Sequence, residues 1–301
     1  MTKYHRVTKD DLPEIATFAA ALNTRSEHRI GYLGDKASQI SHELLEYDAL
    51  LRAFAARDEG RIVGFMAIDV DAELERSYFY GPLVDHPEWS AVAGRLVEQC
   101  LALVPHQATK QLEMFFDLTN VNAGALGRSL GFESYKDVRI MRFGRDELGR
   151  LGRGGAIPVA PEHHDSVIKL HDRLFPDTHT PGARLLEGLA EHRACFVRAD
   201  GDEVEGYIYL EVEGATGSAT LEFIGTTEGA RGRGIGADLV RTGLHWMFGF
   251  ESVAETWLTV DEDNAGAQRL YRSLGWTEAG RLTSMRRRGR PRSKPLDAIN
   301  A

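Results

Sequence analysis

Cysteine is nearly absent: the 301 residues hold two, Cys100 and Cys195, far apart and each in apolar surroundings. That excludes a disulfide-stapled scaffold and a cysteine-built metal site. It predicts two buried thiols in a reducing, cytoplasmic compartment. Long apolar runs are missing too. No stretch approaches the ~18 residues that a membrane-spanning helix needs, so no membrane partner is expected. The first residues, Met-Thr-Lys-Tyr-His-Arg, carry no apolar core of an export signal. Positive charge is in deficit, with 36 Lys and Arg against 45 Asp and Glu and a net charge of −9. So acidic a chain is not expected to bind nucleic acid broadly, and it mildly favours a cationic small substrate.

The composition otherwise describes an ordinary soluble globular protein, too long for one typical domain and comfortable for two. In the first half, residues 4–7 read as extended. A capped helix follows Thr8, with Leu12, Ile15, Phe18 and Ala19 at helical spacing. A helix at 40–54, strands at 61–70 and 76–84, an amphipathic helix at 91–103, a strand at 112–117, a helix at 122–129 and strands over 132–143 complete it. Residues 144–155 shift to Gly, Arg and Asp and read as a linker. The second half repeats the plan: helices at 161–174 and 184–192, strands at 194–198, 205–213 and 219–226, a glycine loop and its helix, a strand at 256–260, a helix at 265–273 and closing strands to 287.

Matching words sit in matching order. Asn122-Ala-Gly-Ala125 repeats as Asn264-Ala-Gly-Ala267, and Arg128-Ser-Leu-Gly-Phe132 as Arg272-Ser-Leu-Gly-Trp276, with a small gap implied between them. A duplicated domain is the simplest reading; two copies are too few for a solenoid.

The most informative stretch is 221–237, Leu-Glu-Phe-Ile-Gly-Thr-Thr-Glu-Gly-Ala-Arg-Gly-Arg-Gly-Ile-Gly-Ala. It reads as strand, glycine-rich turn and helix start. With Gly232, Gly234 and Gly236 lacking side chains, successive N–H groups can face outward beside the positive end of a helix dipole. Arg231 and Arg233 add charge, and a pyrophosphate would fit.

Arg231-Gly-Arg-Gly234-Ile-Gly236, followed by Asn264, Ala267, Leu270-Tyr271 and Leu274-Gly275-Trp276, resembles the GNAT superfamily of acyl-CoA N-acyltransferases. The resemblance covers roughly residues 155–287, with a weaker copy in residues 1–143. It implies an α/β (α+β) chain of two GNAT-like domains, each a mixed, mostly antiparallel, splayed sheet flanked by helices. The expected parts are a degenerate domain at 1–143, the linker at 144–155, a catalytic domain at 156–287 and a flexible basic tail at 288–301. The amides of Arg231, Gly232, Arg233, Gly234, Ile235, Gly236 and Ala237 are then expected to hold the pyrophosphate of acetyl-CoA. Ile224, Gly225 and Thr226 are expected on its pantetheine arm and thioester, and Asn264 at the arm or capping its helix. Tyr271 is the expected general acid, and no metal is implied. Relatives place a base glutamate at the position of Thr220; here Glu222, two residues on, is the candidate base, with Glu211 and Glu213 in reserve.

In the first half, Glu88, Ala91 and Ala93 align with Arg231, Gly234 and Gly236, and Gly127 with Tyr271. That copy is expected to have lost catalysis. His163, His164, His171 and His179 lack metal-ligand spacing and read as surface or cleft residues. Arg288-Gly-Arg-Pro291, within the basic run 286–294, is AT-hook-like, a weak hint of minor-groove DNA binding. The expected function is acetyl transfer to a small primary amine. Alternatives are a mycothiol-synthase-like acetylation of a cysteinyl amine and a non-catalytic acyl-CoA sensor. Oligomeric state is left open.

Overall fold

The computed structural model describes residues 1–46, 49–105, 109–176, 178–214 and 216–288. Two compact units divide the chain: Met1–Val138 with Arg281–Ala301, and Arg139–Gly280. The sequence-based boundaries at 143 and 287 differ because the twelve-residue strand closing each half runs across a unit boundary.

The elements in order are β1 (Lys3–Arg6), α1 (Leu12–Asn23), α2 (Ala37–Glu46), β2 (Ala53–Asp58), β3 (Arg61–Asp71), β4 (Arg76–Val84), α3 (Trp89–Leu101), β5 (Gln111–Asp117), α4 (Val121–Ser129) and β6 (Glu133–Gly144). Then come β7 (Ile157–Pro158), α5 (His164–Leu174), α6 (Gly182–Glu187), β8 (Arg193–Asp200), β9 (Glu203–Glu213), β10 (Ser218–Thr226), α7 (Ile235–Met247), β11 (Glu255–Asp261), α8 (Ala265–Ser273) and β12 (Thr277–Arg288).

In the first unit the strand order is β1-β2-β3-β4-β5-β12, antiparallel except for β4 with β5. Its core gathers Ile68, Phe65, Phe79, Leu83 and Leu96. The helix expected over 40–54 ends at Glu46, and β2 begins at Ala53. Ala53-Phe-Ala-Ala favours helix by propensity, yet pairing to β1 on one edge and β3 on the other overrides it. The helix aligned with the glycine loop starts earlier than expected. Helix α3 begins directly after Glu88, which makes no side-chain cap bond, so Ala91 and Ala93 lie within the helix and not in a loop; no left-handed glycine there holds the chain out of helix.

In the second unit the order is β6-β11-β10-β9-β8-β7, with the start of β12 beside β6. Alternation along β9 sorts two cores. Ile208 and Leu210 pack with Ile235, Leu239 and Leu244 of α7, whereas Tyr207 and Tyr209 pack with Val167, Leu170 and Leu185 under α5 and α6. Burying each of these α7 side chains is worth about 1.5–3 kcal/mol. The segment expected as a linker is ordered into this unit. Arg145 donates to the carbonyls of Phe248, Phe250 and Val253 at 2.6–2.8 Å, placing a cation at the C-terminal end of α7. Gly154 passes so close to α7 that a β-carbon would lie 2.2 Å from the Asp238 carbonyl oxygen.

The repeat is tighter than its words suggested. Asn120 caps α4 by accepting from Ala123 N–H, as Asn264 caps α8 by accepting from Ala267 N–H. The structural partner of Asn264 is therefore Asn120, not Asn122. The separation 264 − 120 equals 272 − 128, so no gap intervenes.

Candidate active site

Between β10 and α7 the chain makes a 3-10 turn at Glu228–Ala230 and then two left-handed steps, Gly232 at φ +76° and Gly234 at φ +81°. A side chain would strain both positions. Among the described residues the N–H groups of Gly232, Gly234, Ile235, Gly236 and Ala237 have no acceptor. They sit at the N-terminus of α7, where orphan donors and the helix dipole favour an anion. A β-carbon at Gly232 or Gly234 would meet nothing within 4 Å, so the cradle is open. Arg231 is exposed and has no ion-pair partner among the described residues, while Arg233 is tied to Glu205. Gly236 serves packing: a β-carbon there would lie 3.1 Å from Leu270, so its absence lets α8 approach the first turn of α7.

Strand β10 carries a bulge at Glu222. Its register with β9 steps from Leu221 opposite Leu210 to Phe223 opposite Tyr209. In consequence Leu221 joins the α7 core and Phe223, two residues on, joins the α5–α6 core. With β11, β10 pairs in parallel at Thr220 and Trp257; beyond that, among the described residues, it pairs with β9 alone through Ile224, Gly225 and Thr226. The other edge of β10 is thus left open along those three residues. Gly225 admits no side chain, since a β-carbon would stand 2.4 Å from Leu174 and 3.0 Å from the Tyr207 ring.

Glu222 is half-buried, and its carboxyl is pushed up to about 7, first by desolvation and then by the charge of Glu211. Glu211 faces Thr220 across the β9–β10 ladder, accepts from the Tyr209 hydroxyl at 2.8 Å and lies 3.7 Å from Arg193. Tyr271, on α8, is 3 % exposed and packs on Trp276. Burial raises its phenol well above the usual range, so it keeps its proton at neutral pH. Its hydroxyl has no hydrogen-bond partner among the described residues. Asn264 is exposed, and its side-chain oxygen is spent on the cap.

Two histidines read as surface or cleft residues are instead buried. His163 accepts from the Ala160 N–H at the start of α5, and burial follows from this turn. His171 lies beneath Phe175 and Phe223. Its Nε2–H must donate to the Thr180 carbonyl at 2.8 Å, so Nδ1 accepts from Tyr207 at 2.6 Å. Burial depresses its proton affinity, consistent with a neutral ring. Neither this pair nor Tyr209 stood out in the sequence; the one available hint was Tyr209 two residues before Glu211 on a strand.

Of the basic run, Arg286 pairs with Glu113, and Arg287 donates to the Leu130 carbonyl and lies over the Phe132 ring. These arginines finish β12. Of the AT-hook-like residues 288–291, and of the basic run 286–294 that holds them, the part from 289 onward lies outside the described residues. Among the described residues no group of His, Cys, Asp and Glu is arranged to hold a metal, and no helix is long and apolar enough to cross a membrane.

The sequence profile of the acetyltransferase (GNAT) family matches residues 164–276. A mycothiol acetyltransferase from a Nocardioides species is 29% identical over 246 residues, covering 72% of this chain and 80% of that protein. Among solved structures, a GCN5-related N-acetyltransferase from Sphaerobacter thermophilus superposes with a TM-score of 0.72 at 19% identity, covering 96% of each chain. A tandem GNAT protein of the clavulanic acid biosynthesis pathway gives 0.64 at 15% identity, covering 96% of this chain and 98% of that one. At these identities the two structures speak for the fold, and they extend it over both units. Residues 164–276, with their glycine cradle and open strand edge, are thus the part of the chain that matches the acetyltransferase (GNAT) family, within a chain that shares the fold of a tandem GNAT protein over both units.

Proposed function

We propose that the second unit transfers an acetyl group from acetyl-CoA to the primary amine of a small molecule. The observation that carries this reading is the pairing of an open anion cradle at Gly232–Gly234 with a strand edge left free from Ile224 to Thr226. The residues fit the coenzyme. Free amides of Gly232, Gly234, Ile235, Gly236 and Ala237 suit a pyrophosphate, and the edge of Ile224, Gly225 and Thr226 suits an extended amide-bearing arm. Arg231 supplies charge at the cradle, while Arg233 acts with Glu205 to brace the loop. Asn264 acts as a helix cap in this account. The coenzyme supplies the acetyl group as an activated thioester.

Glu222 takes up the proton of the incoming ammonium at its carboxylate. With its proton affinity near neutrality it is ionised for a useful fraction of the time and still accepts a proton readily. Catalysis requires the ionised form, so turnover rises with pH through about 7. Glu211 adds negative charge beside Glu222. Glu211→Gln is expected to move the acidic limb of the kcat/KM profile below that of the wild type, because removing a like charge lets Glu222 ionise sooner. An unmoved limb means that desolvation alone sets it.

Tyr271 keeps its phenolic proton at neutral pH and gives it to the departing thiolate. Tyr271→Phe removes the hydroxyl and leaves the ring on Trp276. It is expected to lower kcat about 10- to 100-fold while acetyl-CoA affinity, read by calorimetry, stays unchanged. Parallel loss of affinity assigns Tyr271 to packing.

A second reading has one specific support, the 29% identity to a mycothiol acetyltransferase. It names a cysteinyl amine as acceptor and belongs in the same assay panel.

A further inference from the structure

We infer that the first unit's inter-strand cleft is filled by the chain's own residues 29–32, so that the protein takes one acyl-CoA per chain. This rests on the reading of the second unit's open edge as the coenzyme arm's place. In the first unit β4 and β5 also pair in parallel only briefly, at Arg76–Tyr78 with Gln111–Glu113. Past Glu113 the β5 edge facing β4 would carry unpaired amides and carbonyls. They are used internally. Gly31 N–H donates to the Phe115 carbonyl at 2.7 Å, Asp117 N–H donates to the Arg29 carbonyl at 3.1 Å, and Ile30 bridges Phe116 in antiparallel fashion. Residues 29–31 thus add a short strand to the β5 edge, inside the gap between β4 and β5 that a ligand arm would have to enter.

The side chains lock it there. The Tyr32 hydroxyl donates to Glu113 Oε1 at 2.9 Å, and its ring sits 5.4–5.7 Å from those of Tyr78, Tyr80 and Phe115. Glu113 is otherwise satisfied by the Ser284 hydroxyl at 2.9 Å and Arg286 Nε at 2.7 Å. Asn23, buried at the end of α1, accepts from Ile30 N–H at 2.7 Å and donates to the carbonyls of Leu33 and Gly34. Gly31 is seated so tightly that a β-carbon would stand 2.4 Å from Phe115. By the repeat spacing the second unit has Thr259 and Asp261 where the first has Phe115 and Asp117. Both are exposed on β11, whereas Asp117 is buried. Displacing the segment would break backbone bonds and expose Ile30 and Tyr32, a cost that the incoming arm would have to offset.

Titrating the full wild-type chain with acetyl-CoA in a calorimeter is expected to give one site per chain, lost on Gly234→Asp. Hydrogen exchange is expected to show the amides of Gly31 and Asp117 protected to the same degree with and without the ligand, while those of Gly232, Gly234 and Ile235 slow on binding. Two sites per chain, a site surviving in Gly234→Asp, or ligand-dependent exchange at Gly31 and Asp117 overturns the inference. A chain that binds none, with Gly31 and Asp117 still protected, defeats the reading of the second unit and leaves the first unit's closure standing.

Discussion

Glu222→Gln is expected to lower kcat/KM for the acceptor about 100- to 1,000-fold at pH 8 and, at that pH, to raise thermal stability. The two effects share one cause. The Glu222 carboxyl titrates near 7 in the folded chain against an ordinary value near 4.5, so the folded state favours the protonated form. Stability from this group is therefore full below about pH 4 and is lost as pH rises through about 7. At pH 8 the folded protein carries a buried charge that the amide does not. With half-burial taken into account, the gain in the variant is about 1–2 kcal/mol, a few degrees in melting temperature for a domain of this size. At pH 4 the gain vanishes. Calorimetric melts at the two pH values, set beside initial rates, check both halves; an active variant, or one with a pH-independent shift in melting temperature, removes Glu222 from the base role.

The second large effect is at the cradle. Gly234→Asp is expected to weaken acetyl-CoA binding at least about 100-fold, at a stability cost of about 1–2 kcal/mol for the left-handed backbone. Asp is among the residues that tolerate a left-handed backbone, and its carboxylate is favoured at a helix N-terminus. The site has room, with nothing within 4 Å of a β-carbon. The added carboxylate then sits where the orphan amides would receive a pyrophosphate, and like charges repel. Calorimetric binding together with a thermal melt separates this from unfolding. Unchanged affinity in a folded variant rules the loop out as the anion site.

The sequence made much of this visible because the informative features are local. A left-handed glycine pair before a helix is written in glycines, and the caps of α4 and α8 are written in asparagines followed by small residues. The helical periodicity of α7 and α8 follows directly from their apolar spacing. What stayed hidden depends on tertiary pairing. The alanine-rich β2 is a strand because two neighbours hold it, and the bulge at Glu222 is a mismatch of register between two strands. The neutral His171 under Phe223 could not be told from a surface histidine without the fold. The same limit hid residues 29–32, whose sequence gives no strand signal and whose pairing needs the β5 edge. Alignment by words also misplaced the twin of Asn264, because Asn122-Ala-Gly-Ala matches in letters two residues inside its helix, while the cap is Asn120.

The proposed N-acetyltransferase activity of the second unit rests on an ionisable Glu222 on a bulged strand and an open anion cradle on the loop that follows that strand. Its most direct test is acetyl-CoA-dependent thiol release by the full chain across polyamines, aminoglycosides, amino-acid and cysteinyl amines, and peptides, with wild type and Glu222→Gln run from pH 5 to 9. The account predicts release with at least one amine, rising through about pH 7 in the wild type and lost in the variant. Tight acetyl-CoA binding with no thiol release for any amine at any pH would contradict it and leave a sensor in its place.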